Sequence, residues 1–312
     1  MKKMLDWLKF FPFVSTSRMF ARPDIQEIRG PYFAAPRKNR WRIGDSTFYF
    51  KAPWTNPILG FGGLGGSGRT VTSINPGGKN ILRSDWERVW GSAGKCPRIQ
   101  SQDWFYAKDW YFVGPWFTGD EGCLTASALL IDTREDANSK LFHPRVFEST
   151  VCDYLDYRYG YRRSGDKPDY RGPLNWWVKP LCSSIQAVVC DVHEIHKGGV
   201  EHPRVTRFVF FPVSTHQFIE VSFFFVGLDI HDEVRAKPIF ALCNSIIDSM
   251  RLEVGQSTQA EWDKVEEICP DMALSDTMGE FKWPLFEEEA NSEPTEKEIL
   301  QKHPANRISD KP

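Results

Sequence analysis

From Ile185 to Glu253 the apolar and polar positions follow two successive periods. Ile185–His196 alternates, with Ile185, Ala187, Val189 and Asp191 on one parity and Val188, Cys190 and Val192 on the other. Lys197-Gly198-Gly199 supplies a turn where positive φ is cheap. Arg204–Val213 and Phe218–Val226 follow as β-branched and aromatic runs separated by Ser214-Thr215-His216-Gln217. The pattern predicts a three-stranded antiparallel meander over 185–226. The period then lengthens. Ile239, Phe240, Leu242, Cys243, Ile246, Ile247 and Met250 recur at three- and four-residue spacing, which predicts a helix over 235–251 lying on the sheet's apolar side.

The first half has the same order of elements. Thr47–Lys51 reads as a short strand stopped by Pro53, and Val71–Ile74 as another ended by the Asn75-Pro76-Gly77-Gly78 turn. Ser84-Asp85-Trp86-Glu87 has capping-box spacing. Trp104–Phe117 and Cys123–Asp132 form a predicted hairpin, and Pro144 opens a helix whose face carries Val146, Phe147, Thr150, Val151, Tyr154 and Leu155. Ser164–Pro173 is the best linker by composition. Thr258-Gln259-Ala260-Glu261 caps a further helix ending near Pro270, and the polar composition from Glu287 onward predicts disorder for the last ~25 residues. The expected class is α+β: antiparallel sheets, each covered by helices, in two similar strand-hairpin-helix halves. The expected divisions are an N-terminal arm at 1–29, a first half at 30–165, a second at 166–256, and a helix with a polar tail at 257–312.

Charge and composition narrow the function. A net charge of −2 over 312 residues argues against a dedicated nucleic-acid binder, though not against a local basic patch. No run reaches the ~20 apolar residues of a membrane span, and Asp6 and Lys9 interrupt the N-terminal apolar run that would otherwise resemble a signal peptide. Met4, Leu5, Leu8 and Phe11 could form a short amphipathic helix, either an arm packed on the body or a surface-binding segment. The seven cysteines are scattered and partly within apolar patterns, as expected of reduced core residues in a cytoplasmic protein.

Candidate chemistry is sparse. Gly63-Leu-Gly-Gly-Ser-Gly68-Arg69-Thr70 resembles a phosphate loop with arginine for lysine, but no strand leads in and no helix follows. Cys190, Asp191, His193, Glu194, His196 and His202 are the densest set of potential metal ligands, yet strand alternation splits them between two faces. Asp153 and Asp156 with Arg158 read as a solvated helix face. No nucleophile elbow is present, and neither a catalytic residue nor a cofactor or metal is expected. The run Tyr154-Leu-Asp-Tyr157-Arg-Tyr159-Gly-Tyr161-Arg162-Arg163 combines the residue types that carry interface energy; its bland reading is a core tyrosine and a helix end. Trp176 and Trp177 cannot both face one core from a strand, so one belongs between layers or partners. The candidate partner-binding residues are therefore Tyr157, Tyr159, Tyr161, Arg162, Trp176 and Trp177.

The close of the meander, with His216, the Phe-rich strand and the helix ending Ile247-Asp248-Ser249-Met250-Arg251-Leu252, resembles PsbP/DcrB-like α/β proteins. So does the strand Phe48-Tyr49-Phe50-Lys51-Ala52 running into Pro53. The resemblance covers residues 40–55 and 185–253. It implies an immunity protein of type VI secretion or other polymorphic toxin systems, acting by binding a cognate toxin and carrying no catalytic residue. The leading expectation is thus a cytoplasmic protein that occludes such a toxin. The alternatives are a binder of lipid or another apolar ligand, a secretion-cargo adaptor, and a metal-dependent hydrolase.

Overall fold

The computed structural model describes residues 28, 30, 36–53, 73–74, 99–113, 120–133, 140–160, 169–195, 204–226 and 233–283. The N-terminal amphipathic stretch, the Gly63–Thr70 loop, the Ser84 capping box, Tyr161, Arg162, His196, His202 and the tail from Glu287 lie outside them. The strands are β1 (Arg37–Ile43), β2 (Ser46–Ala52), β3 (Ser73–Ile74), β4 (Ile99–Val113), β5 (Asp120–Thr133), β6 (Asp169–Pro180), β7 (Gln186–Ile195), β8 (Val205–Pro212), β9 (Gln217–Val226) and β10 (Arg251–Glu253). The helices are α1 (Pro144–Tyr159), α2 (Glu233–Asp248) and α3 (Gln256–Glu266). The α+β class is as expected, and the meander, α2 and the Pro144 start of α1 lie where the periodicity puts them. Among the described residues, no helix is long and apolar enough to cross a membrane.

The strands form two sheets, a six-stranded one ordered β4-β5-β9-β8-β7-β6 and a four-stranded one ordered β10-β2-β1-β3. All pairs are antiparallel except the short parallel contact of β1 with β3. The expected division into two halves does not describe this topology. In the large sheet, β5 from the first half pairs with β9 from the second over Cys123↔Val226 to Asp132↔Gln217. In the small sheet, β10 pairs with β2. Of the expected linker, Asp169–Pro173 is already part of β6. The physical reason is that a three-stranded meander has open edges, and β5 supplies a partner to β9 with Leu124, Ala126, Ala128 and Leu130 continuing the same apolar face.

The large sheet is covered on both faces, so its strands bury successive residues on both sides: β8 is almost entirely buried from Arg207 to Pro212. One face carries Phe208, Phe210, Phe218, Val188 and Val192 against α1. The other carries Val209, Phe211, Val221 and Phe223 against the small sheet and α2. Trp41 of β1 sits fully buried at the junction of the sheets, with ring centroids 5.8 Å from Phe48, 5.1 Å from Phe50, 5.4 Å from Phe105 and 5.3 Å from Tyr106. Phe48 reaches Phe211 across the layer at 4.9 Å. Phe105 is an extra residue in β4, since Trp104 pairs with Leu129 and Tyr106 with Ala128. That bulge lets Phe105 and Tyr106 join the same core.

Candidate functional site

The C-terminal end of α1 carries two of the candidates, Tyr157 and Tyr159, together with Tyr154 and Arg158. Tyr154 and Arg158 are four residues apart and share one helical face. That face looks onto β9, where alternation points Phe218 and Glu220 toward the helix and Ile219 and Val221 away. Glu220 is buried, and a buried carboxylate needs partners. It has them: Tyr154 donates its hydroxyl hydrogen to Oε2 at 2.5 Å, and Arg158 Nη1 donates to Oε1 and Oε2 at 2.9 Å each. Arg158 Nη1 also lies 3.0 Å from the Tyr154 hydroxyl. The guanidinium packs against the rings of Tyr154, Tyr159 and Phe208 at 5.4, 5.4 and 5.6 Å. Burial and the Glu220 charge push the Tyr154 phenol well above its usual range, so it stays a donor. Arg158 keeps 26% of its side chain exposed.

An extended strap, residues 269–283, closes over this region. Leu274, Phe281 and Trp283 enter the α1-side core, and the Trp283 ring lies tilted against Tyr159 with centroids 5.9 Å apart. Polar contacts fix the strap to α1. Trp283 Nε1 donates to Asp156 Oδ1 at 3.0 Å, and the Ser275 amide and hydroxyl donate to buried Glu148, which also accepts from Arg145 at 2.7 Å. On β6, Trp176 Nε1 donates to the Ser275 carbonyl at 2.8 Å, and the Phe281 amide to that of Gly172 at 2.8 Å. Arg171 binds Glu280 through two nitrogens at 2.8 and 2.9 Å, which holds the Glu280 carboxyl below its usual range.

A second ion pair lies on the opposite face of the sheet. Arg207 of β8 donates to Asp191 of β7 through Nε and Nη2 at 2.7 and 2.9 Å, and to Asn244 of α2 through Nη1 at 2.6 Å. Its guanidinium lies between Trp177 and Phe240, 5.1 and 5.0 Å from their ring centroids. Asn175 Nδ2 completes Asp191 at 2.9 Å, from a residue with φ of 49°.

These placements sort the sequence candidates. Tyr159 and Trp176 are buried in the α1-side core, so neither presents a side chain to a partner; the strap covers both. Trp177 is half-buried on the other face, so the two tryptophans serve different layers. Tyr157 is half-buried beside the α1 core. Arg158 and Asp156 do not form a solvated face: Arg158 turns inward to Glu220 and Asp156 holds the strap. Cys190 is buried toward α1 while Asp191 faces the other way to Arg207, and among the described residues no three His, Cys, Asp or Glu side chains group as metal ligands would. Glu220 and Arg207 were missed because each reads as the polar parity of a half-exposed strand. The available signal was the apolar character of both parities in β8 and β9, which marks a sheet covered twice.

Chemically, this arrangement holds aromatic and guanidinium groups in place, and the buried carboxylates of Glu220 and Asp191 are each committed to an arginine. No family model, no curated protein and no solved structure matches the chain.

Proposed function

We propose that the chain is a cytoplasmic protein-binding protein, an immunity protein that neutralises a cognate toxin by covering it. The observation that supports this reading best is the preorganised end of α1. Arg158 is held by Glu220 and Tyr154 and packed on three aromatic rings, yet a quarter of its side chain (26%) still reaches solvent beside half-buried Tyr157. An arginine and a tyrosine already ordered lose little rotamer entropy on docking, so more of their contact energy appears as affinity. The likeness of 40–55 and 185–253 to PsbP/DcrB-like immunity proteins points the same way. In this reading Tyr157, with Tyr161 and Arg162 just beyond the helix, meets the toxin, while Tyr159 and Trp176 support them from inside.

The test is co-expression with any toxin gene found beside this one. The full chain is expected to co-purify with that toxin and to rescue cells from it. A gene neighbourhood without any toxin, or a toxin neither captured nor inhibited, contradicts the proposal.

A further inference from the structure

The outward face of the four-stranded sheet carries a charge pattern that the net charge of −2 conceals. In β1 the residues Asn39, Trp41 and Ile43 are buried, so Lys38, Arg40 and Arg42 share the exposed parity. In β2 the buried Phe48 and Phe50 leave Thr47, Tyr49 and Lys51 outward, and in β10 buried Leu252 leaves Arg251 and Glu253 outward. Register places Arg40 beside Tyr49 and Tyr49 beside Arg251, with Lys38 beside Lys51. Among the described residues of β1, β2 and β10 the face therefore holds Lys38, Arg40, Arg42, Lys51 and Arg251 against one carboxylate, Glu253, which lies 3.5 Å from Arg40 with both side chains more than half exposed (63% and 53%). At its centre is the Tyr49 ring, with Lys38 Nζ 3.6 Å from the centroid.

We propose that this face binds single-stranded nucleic acid, with phosphates along the Lys38–Arg40–Arg42 row and a base stacked on Tyr49 once the exposed Lys38 ammonium swings from over the ring onto a phosphate. Three properties favour a polyanion. Cations two residues apart on a strand repeat every ~6.7 Å, a regular ladder suited to a repeating anion. Every outward residue around Tyr49 on β1, β2 and β10 is charged or is Thr47, so the face lacks the apolar core that a folded protein partner would need. A central aromatic ring among cations is the combination that holds an unpaired base, since every base has a π-face. The site is independent of the α1 end and of the toxin-binding reading.

Fluorescence anisotropy of the full chain with labelled oligouridylate and oligothymidylate of about 12 nucleotides tests this. Binding is expected to weaken about 100-fold between 50 and 200 mM salt, the slope for five phosphate contacts to a single strand. The exposed double variant Arg40→Glu/Arg42→Glu is expected to lose at least about 10-fold in affinity and to show a shallower salt slope. Tyr49→Ala is expected to lose about 10-fold with the slope unchanged. Circular dichroism melts like wild type confirm that both variants are folded. The proposal is overturned by absent binding at about 100 µM protein in low salt, by binding that folded Arg40→Glu/Arg42→Glu retains in full, or by association with phosphatidylserine vesicles and not with oligonucleotides.

Discussion

Asp45, in the turn between β1 and β2, caps helix α3 at Ser257, 212 residues away in the chain: its Oδ2 accepts the Ser257 amide hydrogen at 2.7 Å. Oδ1 accepts from the Thr258 hydroxyl at 2.7 Å, and Gly44 with φ of 59° makes the two-residue turn that aims Asp45 at the helix. The residue at the helix's own N-cap position is Gly255, which has no side chain to offer. A Cβ there would run into the Asp45 carboxylate. The cap thus ties the small sheet to α3.

This cap carries a pH signature. Burial alone would raise the Asp45 pKa, but the side-chain and backbone hydrogen bonds from Ser257 and Thr258 outweigh it and hold it at about 2 against an ordinary 3.8. A folded pKa below the unfolded one means stability that is fully present above about pH 4 and lost as pH falls through about 2. Asp45→Ala is expected to cost about 1 kcal/mol at pH 7, at the modest end because the carboxylate is exposed, and to remove that acid-dependent component. Urea denaturation of both proteins from pH 7 to pH 2 checks this.

Glu220→Gln is expected to destabilise the chain by about 2–4 kcal/mol, because it leaves the Arg158 cation among aromatic rings without its counter-charge. Arg158→Met with Glu220→Gln is expected to cost less than the sum of the two single changes. Chemical denaturation of the four proteins closes that double-mutant cycle. Additive costs would show that the pair is not energetically coupled.

The strap gives a separate prediction. Trp283→Ala removes a buried ring, its bond to Asp156 and its packing on Tyr159 and Phe281, so a loss of about 3–5 kcal/mol is expected. Hydrogen exchange is expected to accelerate along α1 and β6, which the strap covers, and to stay unchanged in β1 and β2. Uniform acceleration across both sheets would mean that the strap supports the whole body instead.

Periodicity within a segment was enough to read the meander, α2 and the start of α1, because each writes its burial into its own residues. Pairings between distant segments were not legible. Nothing in Cys123–Asp132 says that its partner is Gln217–Val226, and nothing near Asp45 announces a helix at Gln256. The candidate site divided the same way. The Tyr/Arg run marked the end of α1, but whether Tyr159 or Tyr157 faces out depends on the strap. That segment falls, without a reading of its own, in the helix and polar tail expected at 257–312, because Leu274, Phe281 and Trp283 follow neither a helical nor a strand period. Glu220 resembled a surface residue until α1 was laid across β9.

The central claim, the proposed toxin binding, is tested most directly by measuring the affinity of a toxin encoded beside the gene for the wild-type chain and for Tyr157→Ala by isothermal titration. The account predicts a loss of at least about 10-fold for Tyr157→Ala, with circular dichroism showing that the variant remains folded at the measuring temperature, as for an interface tyrosine. Equal affinity for both proteins, or no heat of binding with the wild type, would contradict it.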